Sequence, residues 1–550
     1  MAAVPFRPVS TGGLQARTAV VLTALLAMAV SLGGCALRPG DVGYLVHSPD
    51  AQPMLVATEA GPVRGVATPQ GNAFLALPYA AAPVGPLRWR APRPPASWVE
   101  PRDATRGGAL CPQAAIPGSG KQSEDCLTLN VYTPAGAKAG ARLPVMVWIY
   151  GGGYAIGYTA QYDLSRIAQR QGVVTVEMNY RLGALGFLAH PALRAEGDGS
   201  GDYALLDQQA ALRWVRANVS AFGGDPANVT IFGESAGGWS VCEQLTAPGA
   251  QGLFQRAIIE SGACTAPDSA ISQAAAEAGG VQMAADLGCS DPVTAAACLR
   301  ALPAKEVLKA MPHRRGLLGK DSWTSAYGGT VLPLHPRRAL EQGRFAPVPV
   351  IDGTNHDEAR LFLDLNRFKG MLYSEKSYKK IISDFFLDQT PTVLNEYADE
   401  ARRSYAQAYV DVVTDSTFAC PALTTNALLE RRVSVYAYEF DDPAAVNGLP
   451  RSPFTGPLKA FHSSEIAYVM QTPWEVAPAI RFDPAQRALS DHMQAWWAGF
   501  ARSGIPDTAS ARGWAPDRGV GPLQLRPDGN STASDFARRH RCAFWNALGY

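Results

Sequence analysis

Hydrophobic positions in this chain fall in short unbroken runs, each released into a glycine-rich or polar turn. Pro144-Val-Met-Val-Trp-Ile-Tyr150 opens into Gly151-Gly-Gly153-Tyr154. Val229-Thr-Ile-Phe232 opens into Gly233-Glu-Ser-Ala-Gly237. Val348-Pro-Val-Ile351 leads into the polar stretch Asp352-Gly-Thr-Asn-His-Asp-Glu358. Runs this short and this apolar predict buried strands. Two stretches read as helices instead. Trp239 to Leu245 follows the second run, and Ala488 to Ala501 carries Trp496, Trp497 and Phe500 on a core face. No internal repeat or sustained heptad is present.

Composition narrows the class without choosing it. Hydrophobic residues make up 47% and charged residues 18% of 550, which describes a chain with ample core. A formal net charge of +1 supplies no field for nucleic acid or an acidic partner. The most basic short run, Arg538-Arg-His-Arg541, reads as a solvated C-terminal face. Glycines (53) and prolines (42) spread along the chain predict many turns and long loops.

The first residues read as an address. Arg7 and Arg17 are followed by the apolar stretch Thr18 to Leu32, too short to span a bilayer comfortably. It ends in Leu32-Gly-Gly-Cys35, which resembles a bacterial lipobox with Cys35 as the lipidated first residue of the mature chain. The expectation is a lipoprotein-type signal peptide over 1–34, a tether over 35–55, and a catalytic domain over 56–550. Such a chain is exported and membrane-anchored, on the periplasmic face or outer membrane of a Gram-negative host, or else secreted. Export makes disulfides the natural reading of the other cysteines. Cys111 and Cys126 bracket a polar loop, Cys289 and Cys298 a short segment, and Cys420 and Cys542 lie far apart. Cys242 and Cys264 read as buried thiols, with a fourth bond between them as the alternative. No pair has metal-ligand spacing with accompanying histidines, so the expected metal content is none.

Gly233-Glu-Ser-Ala-Gly237 after a strand and before a helix matches the nucleophile elbow, where a strained turn lifts a serine Oγ clear of the sheet. That makes Ser235 the candidate nucleophile. On that fold the triad runs serine, acid, histidine along the chain. His462, His492 and His540 come late enough. His492 falls within the 488–501 helix and His540 in the basic tail, whereas His462 precedes a helix start in a polar loop. The acid belongs in the loop after Val348–Ile351, where Asp352, Asp357 and Glu358 all qualify. Consecutive glycines after Tyr150, Gly151 to Gly153, let backbone N–H groups converge, and with the Ala236 N–H they form a candidate oxyanion hole.

Together these motifs resemble the type-B carboxylesterases, which include the cholinesterases. The resemblance runs from about Val56 to Trp545. It is carried by Pro83-Val-Gly-Pro-Leu-Arg-Trp89, Ser123-Glu-Asp-Cys-Leu-Thr-Leu-Asn-Val131, Trp148-Ile-Tyr-Gly-Gly-Gly153 and Asn179-Tyr-Arg-Leu-Gly183. It continues through Phe222-Gly-Gly-Asp-Pro226, the elbow, Gly353-Thr-Asn-His-Asp-Glu358, the His462 loop and Cys542-Ala-Phe-Trp545. The resemblance implies an α/β-hydrolase fold, with a large mixed, mostly parallel sheet and long loop and helix insertions. It implies Ser235 as nucleophile, Glu358 as acid, His462 as base, Gly152, Gly153 and Ala236 as oxyanion donors, and no cofactor. It also implies Cys111–Cys126, Cys289–Cys298 and Cys420–Cys542 disulfides, ion pairs Arg88–Glu124 and Arg181–Asp225, and Ser261 as a serine supporting the triad.

Departures refine it. The Cys111–Cys126 loop has no tryptophan, so the aromatic platform for a choline cation is missing. Ala359 replaces the glycine that usually follows the acid, and Gly328 stands where aspartate often does. The expected activity is hydrolysis of small to medium apolar esters through an acyl-enzyme, with a small-molecule ester as partner and no nucleic acid. A thioesterase, transacylase or amidase on the same fold is the alternative, and a non-catalytic binding relative a further one.

Overall fold

The computed structural model describes residues 45–550 apart from 115–119, 160, 198, 311–314, 317–318, 321, 369–372, 447–456, 472–480 and 507–513. Cys35 and the expected signal peptide lie outside the described residues.

Thirteen strands form one sheet. In chain order they are β1 (Gln52–Ala57), β2 (Pro62–Thr68), β3 (Gly71–Pro78), β4 (Arg102–Asp103), β5 (Thr128–Thr133), β6 (Leu143–Ile149), β7 (Val174–Met178), β8 (Gly224–Glu234), β9 (Arg256–Glu260), β10 (Val350–Asn355), β11 (Val435–Phe440), β12 (Leu523–Leu525) and β13 (Ser531–Thr532). Their spatial order is β1-β2-β3-β5-β7-β6-β8-β9-β10-β11-β12-β13, with β4 beside β2. From β7 to β12 every neighbour is parallel. The β1 to β5 side is antiparallel apart from the β2–β4 contact. The α/β-hydrolase expectation therefore holds.

The three apolar runs lie in the parallel part. Val145 to Ile149, Val229 to Phe232 and Val350 to Ile351 are all buried. A parallel strand carries helices on both faces, so neither side-chain alternation reaches water. The 484–503 helix exceeds its expected ends, because Asp483 and Gln486 form a capping box at its start and Gly504 closes it in the left-handed conformation. Between β10 and β11, the helices Glu375–Phe386, Thr390–Glu396, Ala398–Arg403 and Tyr405–Val413 gather around a second apolar cluster that includes Ile382, Val393, Tyr397 and Trp545.

The body of the fold begins before residue 56. Leu45 is buried in the main core and β1 pairs with β2 from Gln52, so the last part of the expected tether belongs to the domain.

Among the described residues four disulfides are present, including Cys111–Cys126, Cys289–Cys298 and Cys420–Cys542. The fourth corrects the buried-thiol expectation: Cys242 is bonded to Cys264. Their spacing of 22 residues suggests nothing by itself. The helix after the elbow packs so closely on the loop after β9 that a Cβ on Gly238 would stand 2.9 Å from the Gly262 Cα, and that approach brings the two sulfurs together.

Arg88 pairs with Glu124 as expected. Arg181 does not pair with Asp225. It makes a two-pronged, buried ion pair with Asp207, while Asp225 accepts from Arg142. The reason is topological. β7 and β8 both run parallel to β6, so Arg181 beyond the end of β7 and Asp225 near the start of β8 sit at opposite ends of the sheet.

The 538–541 run is also corrected. Arg538 is exposed, but Arg539 binds Glu439, Arg541 binds Glu400, and His540 is buried between Asp415 and Glu439.

Candidate active site

The candidate residues collect at the carboxyl ends of the parallel strands, where an open α/β sheet places its ligands. Ser235 follows β8 with φ 59° and ψ −123°, then the helix Ala236–Thr246 begins. A non-glycine residue at that φ is uncommon, and here the turn is pinned: Ser235 N donates to Glu260 O at 2.9 Å, and Trp239 N to Ser235 O at 2.9 Å. A Cβ on Gly237 would stand 2.0 Å from Ile149 O, so β6 tolerates only glycine there.

His462 is buried, at 3% exposure, although its neighbours in sequence are polar. Its Nδ1 lies 2.6 Å from Glu358 Oε2. Glu358 Oε1 accepts from Thr354 Oγ1 at 2.7 Å and Asn355 N at 2.8 Å. Two backbone bonds clamp the loops together: His462 N to Glu358 O at 3.1 Å and Asp357 N to Ala460 O at 2.9 Å. The rings of Phe418 and Phe362 close on the imidazole at 4.9 and 5.1 Å. Phe418 belongs to a π-helical turn, Thr414–Ala419.

The three candidate acids separate cleanly. Glu358 faces the histidine. Asp357 turns away to His356, Arg360 and Lys459. Burial pushes the Asp357 carboxyl up, but the His356 and Arg360 contacts outweigh it and hold the pKa at about 2. Asp352 is enclosed within β10, where burial drives its pKa well above the usual carboxylate range. Ala359 does not displace Glu358. It is fully buried, has no left-handed backbone, and its N–H donates to Thr414 Oγ1 at 3.2 Å.

Beside the elbow, Gly152 and Gly153 take φ values of 101° and 62°. The N–H groups of Gly152, Gly153 and Ala236 have no acceptor among the described residues. Ser261 also has a left-handed backbone, and its N–H donates to Gly353 O at 2.8 Å. Its buried hydroxyl has no partner among the described residues, so it makes no bridge to the triad positions. His492 is exposed and stacks on Trp496.

Sequence reasoning missed a set of buried carboxylates. Glu234, inside the elbow motif itself, places Oε1 3.1 Å from His462 Nε2, near enough to pair but out of line for a hydrogen bond. Burial raises the Glu234 pKa to about 7, against the pull of His462 and a hydrogen bond from Ser463. Glu260, which accepts from Trp497 Nε1 at 2.8 Å, is pushed by burial to about 8. Glu465 is also raised well above its usual range by burial and by the charges of Glu234, Glu260 and Glu358. Burial would lower the His462 pKa, but Glu234 and Glu358 outweigh it and hold the pKa above the ordinary value.

Among the described residues one further group, His356, Asp357 and Asp441, brings potential ligand atoms within 4.8 Å of one another. Both carboxylates already have cationic partners, Arg360 and Lys459 on Asp357 and Arg526 on Asp441.

The model of the carboxylesterase family matches residues 52–545. The chain is 34% identical over 504 residues to a human cocaine esterase, covering 86% of each protein. It is 34% identical over 474 residues to the para-nitrobenzyl esterase of Bacillus subtilis, covering 82% of this chain and 91% of that one. A solved structure of a thermophilic pNB esterase superposes with a TM-score of 0.76 at 31% identity, over 89% of this chain and 99% of its own. The chain belongs to the carboxylesterase family and is a carboxylic-ester hydrolase on the α/β-hydrolase fold.

Proposed function

We propose that Ser235, His462 and Glu358 hydrolyse small to medium apolar esters through an acyl-enzyme. One observation carries the reading: a buried imidazole is held at 2.6 Å by a buried glutamate, and its other ring nitrogen stands 3.1 Å from Glu234, the residue next to the strained elbow serine. In this reading His462 takes the Ser235 proton as Oγ attacks the ester carbonyl. Glu358 keeps the proton on Nδ1, leaving Nε2 as the base, and stabilises the imidazolium that forms. The N–H groups of Gly152, Gly153 and Ala236 donate to the oxyanion, with no reorganisation needed at the moment of reaction. The alcohol leaves with a proton from His462, and water then attacks the acyl group by the reverse path. Phe418 and Phe362 give the base an apolar wall, which suits an uncharged substrate. The chemistry needs no metal or organic cofactor. Labelling by a fluorophosphonate probe should be complete in the native chain and absent in Ser235→Ala, with turnover of p-nitrophenyl esters lost by roughly four to six orders of magnitude. Labelling that survives the substitution removes Ser235 from the mechanism.

The cellular reading is that the chain is exported and anchored by lipid on Cys35. Four disulfides support an oxidising compartment, and Leu32-Gly-Gly-Cys35 supports the anchor. Metabolic labelling with a fatty-acid analogue should mark the native chain and not Cys35→Ser. An unmarked native chain would leave a cleaved secretory signal.

A further inference from the structure

Ser463 stands directly after His462 with φ 71°, in the left-handed region where glycine is the economical residue. A side chain there brings Cβ too close to the backbone and strains it. This side chain is put to use: Ser463 Oγ donates to Glu234 Oε1, the same oxygen that flanks His462 Nε2. Both residues are buried, at 6% and 2% exposure, so water does not readily replace that donor. A strained position that nonetheless makes a buried, charge-assisted contact at the reacting end of a base points to a role in the reaction.

We infer that Ser463 is a positioning residue that keeps the Glu234 carboxylate charged beside His462 and so sets the acid limit of ester hydrolysis. The inference rests on the Ser235–His462 reading above. The electrostatic surroundings make the hydroxyl matter. Glu358 faces the other ring nitrogen, Glu260 and Glu465 lie behind, and the Tyr162 and Tyr438 phenols face the same carboxylates. Among the described residues no lysine or arginine forms an ion pair with Glu234, Glu260, Glu358 or Glu465. Glu234 therefore sits buried beside the Glu358 carboxylate, and burial first and that like charge second poise its titration at about 7. The active form carries a charged Glu234, which supports the imidazolium as His462 takes the Ser235 proton, and a neutral His462 before attack. A proton on Glu234 removes that support. The Ser463 hydroxyl donates best to the carboxylate and holds the proton off.

The experiment is kcat/KM for a p-nitrophenyl ester between pH 5 and 9 in the full chain, Ser463→Gly, Glu234→Gln and the double variant. Glycine removes the hydroxyl and relieves the strain, so Tm should not fall. The acid limb of Ser463→Gly should move up by about 0.5–1 pH unit, read as a three- to tenfold lower activity at pH 6 relative to pH 9. In the Glu234→Gln background the same change should not move the limb, because the carboxylate it acts on is gone. Ser463→Ala, which keeps the strain and loses the hydroxyl, should shift the limb like glycine. An acid limb that stays in place or moves down in Ser463→Gly overturns the inference. So does an equal shift in the Glu234→Gln background. Retained turnover in Ser235→Ala would instead sink the underlying mechanism, so the two failures are distinguishable.

Discussion

Cys242 and Cys264 tie the helix that follows the nucleophile elbow to the loop that follows β9, with their Cα atoms 5.1 Å apart. The bond fastens the elbow from behind, since Ser235 N already donates to Glu260 O at the end of β9. Closing a loop of this length is worth about 3 kcal/mol in the chain-entropy model. The double variant Cys242→Ala, Cys264→Ala should therefore unfold at lower denaturant while keeping esterase activity when folded. Non-reducing mass mapping should find the 242–264 pair bonded. Two free thiols there would return the reading to buried cysteines.

The acid loop allows a three-way comparison. Glu358→Gln should lower kcat on the order of 10⁴-fold, through loss of imidazole orientation and charge stabilisation. Asp357→Asn should cost far less, because that carboxylate serves His356, Arg360 and Lys459. Asp352→Asn should also cost far less, because the acid sits inside β10. Steady-state kinetics decide it. A larger loss in Asp357→Asn than in Glu358→Gln would reassign the acid.

Arg181 and Asp207 are both buried and joined by two side-chain hydrogen bonds at 2.8 Å. Asp207→Asn leaves the guanidinium without its counter-charge and should cost about 3–5 kcal/mol of stability. Asp225→Asn should cost less than about 1 kcal/mol, since its partner Arg142 is 74% exposed. Urea unfolding of the two variants side by side checks the assignment, and equal losses would contradict it.

His540 predicts an alkaline weakness. Burial would lower its pKa, but hydrogen bonds and charge from Asp415 and Glu439 raise it to about 9. A histidine raised in the folded state contributes stability that is complete below its unfolded value near 6.5 and is lost as pH rises through about 9. The contribution is at most about 3 kcal/mol. The native chain should therefore lose stability between pH 6.5 and 9.5 more steeply than His540→Gln. Parallel slopes in urea midpoint against pH would show that the imidazolium carries no net stability. The network also reaches the site, because Asp415 lies in the π-helical turn that brings Phe418 to His462.

Features written in local order were legible without a structure. The elbow is a contiguous string whose glycines answer to sterics, and Gly237 under the Ile149 carbonyl shows that constraint directly. The buried strands were legible because a parallel strand is apolar on both alternations. The glycine run after β6 was legible because a turn there needs backbone freedom, while resemblance singled out Gly152 and Gly153 within it. The choice of Glu358 over Asp357 came only from resemblance, since two adjacent carboxylates look alike until a loop turns one toward the base.

Tertiary structure decided whatever depends on which ends of elements meet. The Cys242–Cys264 bond, the Arg181–Asp207 pair and the burial of His540 each join segments whose spacing in sequence carries no signal. They follow from the direction of β7 relative to β8, the Gly238–Gly262 approach and the docking of the C-terminal helix. The same holds for the two glutamates that flank His462 and the two buried near them. A lone glutamate in a sequence looks solvated, and only packing shows that Glu234 has lost its water and gained the Ser463 hydroxyl and the imidazole in exchange. Chain order dictates local backbone need, whereas the energy of a charge is set by what the fold places around it.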